Sequence, residues 1–407
     1  MEKLKNIIII NDECGISGGG PKVSMMEANS LVEKYNVIYF CGFITSMQEI
    51  DKRVNVINVY KKPFLKQNKI IGALRGLYSF KAKRRLSKIL KKFSKEDTVI
   101  HVHGFTTGLS SSIFKSIYKS AISVFFTCHS YHMICPNGGF FNYNTQKICN
   151  FEPMKSKCKK CNCDSRSFLF KKYRILRQKF QLHNIKLGKN EIHYIFISEL
   201  SKKHLIDGLS PITEYRFVHN PIDRRPVKIN NISSNKKYIY VGRIQREKGV
   251  ENLCFFAKKK DICLDIIGDG NLKEELKRKY ASNKIRFLGW QNYDYINKEL
   301  LEARGLIFPS IWYECEPLTI LEAKSVGLPV MVSNKCAGIE NVTEKSGKIF
   351  DPFDYSTFSE AIDYFNDDKN IESLSINAYL EFEEYLKKNN HIKNLVKFYE
   401  DVLDDRK

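Results

Sequence analysis

A chain of 407 residues with 43% hydrophobic side chains holds material for two or three domains with full cores. No apolar run reaches the roughly 20 residues that span a bilayer. The opening Met-Glu-Lys-Leu-Lys-Asn-Ile-Ile-Ile-Ile-Asn enters a strand rather than a signal peptide, so a cytoplasmic protein with reduced thiols is expected. The net charge of +22 asks for an anionic partner or a solvated basic face, and with no recognised binding motif beside it no nucleic acid is expected. In chain order, residues 7–11 read as a buried strand, 21–35 as a helix, and 37–40 and 54–59 as strands. Basic helical material fills 68–93. Residues 61–92 carry twelve Lys/Arg and no acid, interleaved with Ile70, Ile71, Leu74 and Phe80. Strands follow at 98–103, 123–128 and 193–198, with a second basic stretch, 166–189, holding eight Lys/Arg and no acid. The turn signal His219-Asn220-Pro221-Ile222-Asp223 leads into a polar, aperiodic linker at 224–236. Beyond it come strands at 238–241, 264–267, 285–287, 305–308 and 329–332, with helices from 249 and at 272–281, 293–303 and 318–326. Helices close the chain between 355 and 404. This alternation implies parallel sheets and an α/β class, with domains at 1–223 and 224–385 and a last helix at 386–407.

The most informative segment is Pro-Ser-Ile-Trp-Tyr-Glu-Cys-Glu-Pro-Leu-Thr-Ile-Leu-Glu-Ala-Lys-Ser-Val-Gly-Leu-Pro, residues 309–329. Pro317 fits the first helical position, and Gly327 with Pro329 closes the helix. The amides near Leu318 and Thr319 then face outward with a positive dipole, a phosphate-binding arrangement, and Glu322 one turn inside can accept from sugar hydroxyls. Upstream, Tyr-Val-Gly-Arg-Ile-Gln-Arg-Glu-Lys-Gly (240–249) follows a strand and supplies Arg243 and Lys248, cations suited to a pyrophosphate. A nucleotide diphosphate fits this chemistry. As capping carboxylates alone, Glu314 and Glu322 would need no such partners.

In the first half, Gly18, Gly19 and Gly20 join a strand to a helix and let ligand oxygens approach the backbone, although such turns often serve packing alone. Lys22 follows. His103 and His129 end strands of the first sheet, where ligands of parallel sheets bind, against the commoner structural role of a lone histidine. Cys135, Cys149, Cys158, Cys161 and Cys163 fall within 29 residues. Cys158 and Cys161 have zinc spacing, and Cys135 and Cys149 complete a four-thiolate structural site; ordinary free thiols are the other reading. The basic segments suit either anionic lipid or a solvated face.

Together, Gly242-Arg243…Lys248-Gly249 and Glu314…Glu322, eight positions apart, resemble the retaining family-4 glycosyltransferases. Ile267-Gly268-Asp269-Gly270 and the stretch 285–290, with Leu288, extend the likeness over most of the chain. The resemblance implies a GT-B fold, two facing Rossmann-like domains with a cleft between them and a last helix crossing back to the first. It also implies sugar transfer from a nucleotide-diphosphate donor to a saccharide or lipid-linked acceptor in cell-surface polysaccharide synthesis, at the inner face of the membrane if the basic segments dock there. Its catalytic residues would be His129, Arg243, Lys248 and Glu314. Gly18, Gly19, Gly20, Gly242, Gly268, Leu288, Pro317, Leu318, Thr319 and Glu322 would line the donor. No Asp-x-Asp ends a strand, so no catalytic metal is expected, and retention would need no carboxylate nucleophile. Glu316 departs from the aromatic or small residue common in that family. A nucleotide-sugar epimerase, or a non-catalytic basic module on a membrane, remain alternatives that assay with a panel of nucleotide sugars separates.

Overall fold

The computed structural model describes residues 3–15, 18–185, 191–209, 214–222 and 227–405. Strands and helices alternate from the start: β1 (Asn6–Cys14), α1 (Gly19–Leu31), β2 (Asn36–Ile44), β3 (Asn55–Asn58), α2 (Lys69–Leu77), α3 (Phe80–Leu90), β4 (Thr98–Val102), α4 (Phe114–Ser120) and β5 (Ser123–Thr127). A hairpin of β6 (Phe141–Asn142) and β7 (Lys147–Ile148) and the short α5 (Ser156–Lys160) precede α6 (Phe168–Ile185), β8 (His193–Phe196), α7 (Glu199–Leu209) and β9 (Tyr215–Phe217). Then come β10 (Lys237–Val241), α8 (Val250–Lys260), β11 (Cys263–Ile267), α9 (Lys273–Tyr280), β12 (Ile285–Gly289), α10 (Tyr293–Leu301), β13 (Ala303–Phe308), α11 (Leu318–Ser325), β14 (Val330–Ser333) and β15 (Gly347–Phe350). Three helices close the chain: α12 (Tyr355–Asn366), α13 (Asp368–Lys388) and α14 (His391–Asp404).

Two compact units result. One holds the residues up to Gly139, Phe151–Pro221 and those from Asn390 on; the other holds Phe140–Asn150 and Ile222–Asn389. The expected boundary at 223/224, the first linker residues 224–226 and the end of the second basic stretch, 186–189, lie outside the described residues.

The first unit has a parallel sheet ordered β3-β2-β1-β4-β5-β8-β9. Ile7, Ile8, Ile9 and Ile10 are fully buried, as a strand covered on both faces requires. Strand order reverses between β1 and β4, and the crevice beyond their C-terminal ends is where ligands of such sheets bind. Leu395, Phe398, Tyr399 and Val402 of α14 recur at helical spacing and join the core with Ile7, Ile9 and Tyr39. In the second unit the parallel order is β12-β11-β10-β13-β14-β15, with the reversal between β10 and β13.

Three differences from the sequence reading have local causes. The basic run 68–93 is two helices, because Ser79 interrupts it and its hydroxyl accepts from the Ala82 amide as N-cap of α3. The last helix starts at His391 rather than 386, since α13 continues to Lys388 and Asn390 then caps α14 by accepting from the Lys393 amide. Strands β9 and β15, absent from the sequence reading, are short sheet edges whose burial shows no clear alternation. Among the described residues no helix is long and apolar enough to cross a membrane.

Candidate active site

In the second unit, the segments after β10, β11 and β13 meet backbone to backbone. Gly268 has φ 140°, and a Cβ there would lie 1.9 Å from the Gly242 carbonyl. Gly249 has φ 69°, and a Cβ there would lie 2.0 Å from the Pro309 carbonyl. Only glycine satisfies both conditions at either place. The Ile244 amide bonds the Asp269 carbonyl at 2.9 Å, and the Ile311 amide bonds the Glu247 carbonyl at 3.0 Å. This close seam delivers Arg243, Lys248 and Glu314 to one end of the sheet.

Lys248 Nζ donates to Glu314 Oε1, which also receives the Ser310 hydroxyl at 3.0 Å. The ammonium stands 5.4 Å from the centre of the Trp312 ring. Burial pushes the Glu314 carboxyl up, but the Lys248 charge and the hydrogen bonds from Lys248 and Ser310 outweigh it and hold the group below the usual carboxylate range. Glu314 is therefore a fixed anion. Arg243 is exposed, and its guanidinium meets no acceptor among the described residues, while Tyr240 donates to the Arg243 carbonyl at 2.8 Å. The backbone is anchored and the cation is left for a ligand.

Pro317 is the N-cap of α11 rather than its first helical residue, with ψ 108°. An extended conformation there makes Leu318 the first helical position. The Leu318 and Thr319 amides consequently have no intrahelical acceptor, and no side chain caps them. Glu322 follows one turn on, half-buried. Leu288, also half-buried, lies on β12, where its carbonyl accepts from Gln291 Nε2 at 2.8 Å. Glu316 is buried and bonds Tyr385, whose hydroxyl burial and that carboxylate push up.

In the first unit, α1 begins at Gly19 with Gly18 as N-cap, so Gly19 and Gly20 form its first turn rather than a loop before it. A Cβ on Gly20 would lie 3.5 Å from the half-buried His129 ring. His129 Nε2 is 2.9 Å from His103 Nδ1, and His103 Nε2 is 3.0 Å from Glu27 Oε2. Burial drives the His129 imidazole well below its ordinary value, with His103 adding to the effect. Burial pushes the Glu27 carboxyl up, yet the His103 and His101 rings outweigh it and keep it well below the usual range. Asp12, at the same sheet end, accepts from the Thr106, Thr107 and Gly108 amides at 2.7, 2.9 and 2.7 Å and so pins the segment after β4.

Cys135, Cys158 and Cys163 are buried in the first unit and Cys161 is half-buried at the end of α5; Cys149 follows β7 in the second unit. Lys171 of α6 is buried among these thiols, its ammonium 3.8 Å from Cys158 Sγ. Burial lowers this lysine's affinity for its proton, but Cys163, Cys158 and Cys135 reverse the shift and raise it. Asn137 Nδ2 donates to the Cys163 carbonyl and lies 3.2 Å from its sulfur. The sequence reading did not single out Glu27, Asp12, Lys171, Ser310 or His391. Only His101 was legible, because His-Val-His alternation puts it on the face that carries His103.

Residues 222–391 match the family model for glycosyl transferases group 1. A 42.6 kDa protein in the cps region of Klebsiella pneumoniae is 22% identical over 357 residues, 83% of this chain and 87% of that one. The Escherichia coli UDP-Gal:alpha-D-GlcNAc-diphosphoundecaprenol alpha-1,3-galactosyltransferase is 37% identical over 123 residues, 28% of this chain and 30% of that one. Among solved structures, sucrose-phosphate synthase from Thermosynechococcus elongatus superposes with TM-score 0.70 at 15% identity, over 98% of this chain and 100% of that one.

Proposed function

We propose, for a chain that is a two-domain GT-B glycosyltransferase with a group 1 domain at 222–391, a retaining and metal-independent transfer from a nucleotide-diphosphate sugar to a saccharide or lipid-linked acceptor in cell-surface polysaccharide synthesis. The observation that carries it is the pairing of the largely buried Lys248–Glu314–Ser310 cluster with the open Arg243 cation. Arg243, Lys248 and the amides of Leu318 and Thr319 meet the diphosphate, and their fixed charge stabilises it as it leaves. Gly242 and Gly268, each close-packed against its neighbouring segment, shape the turns beside it, Pro317 opens the helix toward it, Leu288 meets the base and Glu322 the ribose. Glu314 stabilises positive character at the anomeric carbon. His129 and the turn Gly18, Gly19, Gly20 serve the sugar and acceptor.

A lipid-linked acceptor agrees with the diphosphoundecaprenol named for the E. coli relative and with the cps setting of the Klebsiella one. It also agrees with α2 and α6, which pack together through Tyr173 Oη and the Ala73 carbonyl at 2.9 Å. These basic helices leave Ile70 and Leu169 72% and 80% exposed, a composition suited to anionic membrane. Among the described residues no three of Cys135, Cys149, Cys158 and Cys161 bring their sulfurs within 4.8 Å of one another, so a structural zinc rests on the Cys158 and Cys161 spacing alone, with the buried Lys171 ammonium 3.8 Å from Cys158 Sγ.

Transfer measured with a panel of UDP-, GDP- and dTDP-sugars and an undecaprenyl-diphosphate saccharide tests the reading. Sugar transfer that persists in excess EDTA, with the anomeric configuration kept, is the expected result. A new sugar nucleotide formed without acceptor would make the protein an epimerase, and inversion would remove the retaining mechanism.

A further inference from the structure

The first unit holds a half-buried arginine that no carboxylate pairs. Arg177 of α6 makes one hydrogen bond among the described residues, from Nη2 to the Pro136 carbonyl at 3.3 Å, and its Nε is buried with no acceptor. A guanidinium carries five N–H donors and keeps its charge throughout the physiological pH range. The neighbouring acids are engaged elsewhere. Asp164 pairs with Arg174, Oδ2 to Nε 2.6 Å, and accepts the Arg166 amide at 3.0 Å, while Asp12 takes the three amides of residues 106–108. Burial and the Arg174 charge push the Arg177 guanidinium down to about 10, so it stays ionised at neutral pH. A cation held there without a counter-ion costs stability, and a bound anion would remove that cost.

Its place in the fold is the end of the sheet where ligands enter. Asp12 of β1, beside the reversal of strand order between β1 and β4, lies within electrostatic reach of Arg177. So does His132, in the loop that follows His129. Gln178 and Gln181, also of α6, donate from Nε2 to the Met133 and His132 carbonyls at 2.8 Å each. One helix thus anchors the loop after His129 and carries the open cation.

We propose that Arg177 is an anion subsite on the acceptor side, its guanidinium hydrogen-bonding a phosphate group that the acceptor carries. The inference rests on the proposed transfer to an acceptor served by this unit, and it narrows that acceptor to a phosphorylated one. A diphosphate between saccharide and lipid supplies the charge that Arg177 lacks, and so does a phosphate on a soluble sugar.

Equilibrium dialysis of farnesyl diphosphate, glucose 6-phosphate and uncharged farnesol tests it on the full-length chain with and without Arg177→Gln, both proteins carrying Arg243→Ala so that the donor pocket takes up less of the diphosphate. Arg177→Gln is expected to weaken farnesyl diphosphate binding about 10- to 100-fold and to leave farnesol binding as it was. Weakening confined to glucose 6-phosphate would keep Arg177 as the phosphate subsite and sink the lipid-linked acceptor alone. Both phosphates bound equally well by a folded Arg177→Gln protein would overturn the proposal and make Arg177 a structural cation only. Farnesol lost in step with farnesyl diphosphate would overturn it as well, because packing rather than charge would then have changed. If circular dichroism shows that Arg177→Gln does not fold, Arg177→Lys carries the same comparison, since it keeps the charge without the planar fork and should weaken phosphate binding in the same sense.

Discussion

Arg243 and Lys248, the two cations proposed to meet the diphosphate, are held in different ways. Lys248 is locked to Glu314, whose side chain is 12% exposed, whereas Arg243 is exposed and meets no acceptor among the described residues. Each alanine variant is expected to raise the barrier to transfer by about 2–4 kcal/mol, the range for removing a preorganised charge partner. Their stabilities should separate them. Arg243→Ala should melt like the parent, while Lys248→Ala leaves a largely buried carboxylate short of its counter-ion and should melt lower. Steady-state kinetics and thermal melts check both, and near-normal transfer by either variant would remove the diphosphate assignment. His132 gives a pH prediction at the same scale. Burial, with Arg177 and Arg174 nearby, pushes its imidazole down to about 3. An unfolded histidine protonates near pH 6.5, so the neutral ring's contribution is complete above that value and is lost as pH falls toward 3, by at most about 1.4 kcal/mol per pH unit. Melting temperature should drop over that window less steeply in His132→Gln than in the parent. Parallel curves would rule His132 out as a source of acid lability. At this scale the seam glycines 242, 249 and 268 and the carboxylates 314 and 322 were legible through the motifs of the resembled family, whereas Glu27 was not, since a lone acid on a helix signals nothing until β4 is packed beneath it.

At the scale of elements, the thiol-rich segment and α6 belong together. Lys171 projects from α6 into the thiols, which ordinary solvation would forbid for an ammonium without anionic partners. The purified protein is expected to carry about one zinc per chain by elemental analysis, and Cys158→Ser combined with Cys161→Ser should lose it and melt at lower temperature. Zinc-free protein whose double variant melts unchanged would leave these side chains as packed thiols. The 61–92 segment shows why composition outran its geometry. Its cations and apolar residues were plain, but that Ser79 splits the run, and that α2 leans on α6 through Tyr173, follows from a cap and a contact 100 residues apart in sequence.

For the whole molecule, the +22 charge and the exposed apolar side chains of α2 and α6 make one demand on solution behaviour. Sedimentation with acidic vesicles should be strong at low salt and fall steeply as the Debye length shrinks from about 10 Å at 0.1 M to about 3 Å at 1 M, with far less binding to neutral vesicles. Neutralising Lys83, Arg84, Arg85 and Lys88 together should weaken that binding. Transfer to a soluble acceptor should persist while transfer to a lipid-embedded one drops. Equal sedimentation with both vesicle types, or with neither, would leave the charge as a solvated surface.

The sequence by itself determined the α/β class and the parallel sheets, and it singled out Arg243, Lys248 and Glu314, which the second unit carries to one end of its sheet. Strand runs, glycine turns and a helix start are local signals, and their chemistry lies within one segment each. Tertiary structure alone decided what joins segments far apart: Glu27 to His391, the α14 residues to the core of β1 and β2, and Lys171 to the thiols. Buried polar groups must find partners wherever the fold supplies them, and that partner can lie hundreds of residues away, where no periodicity or spacing records it.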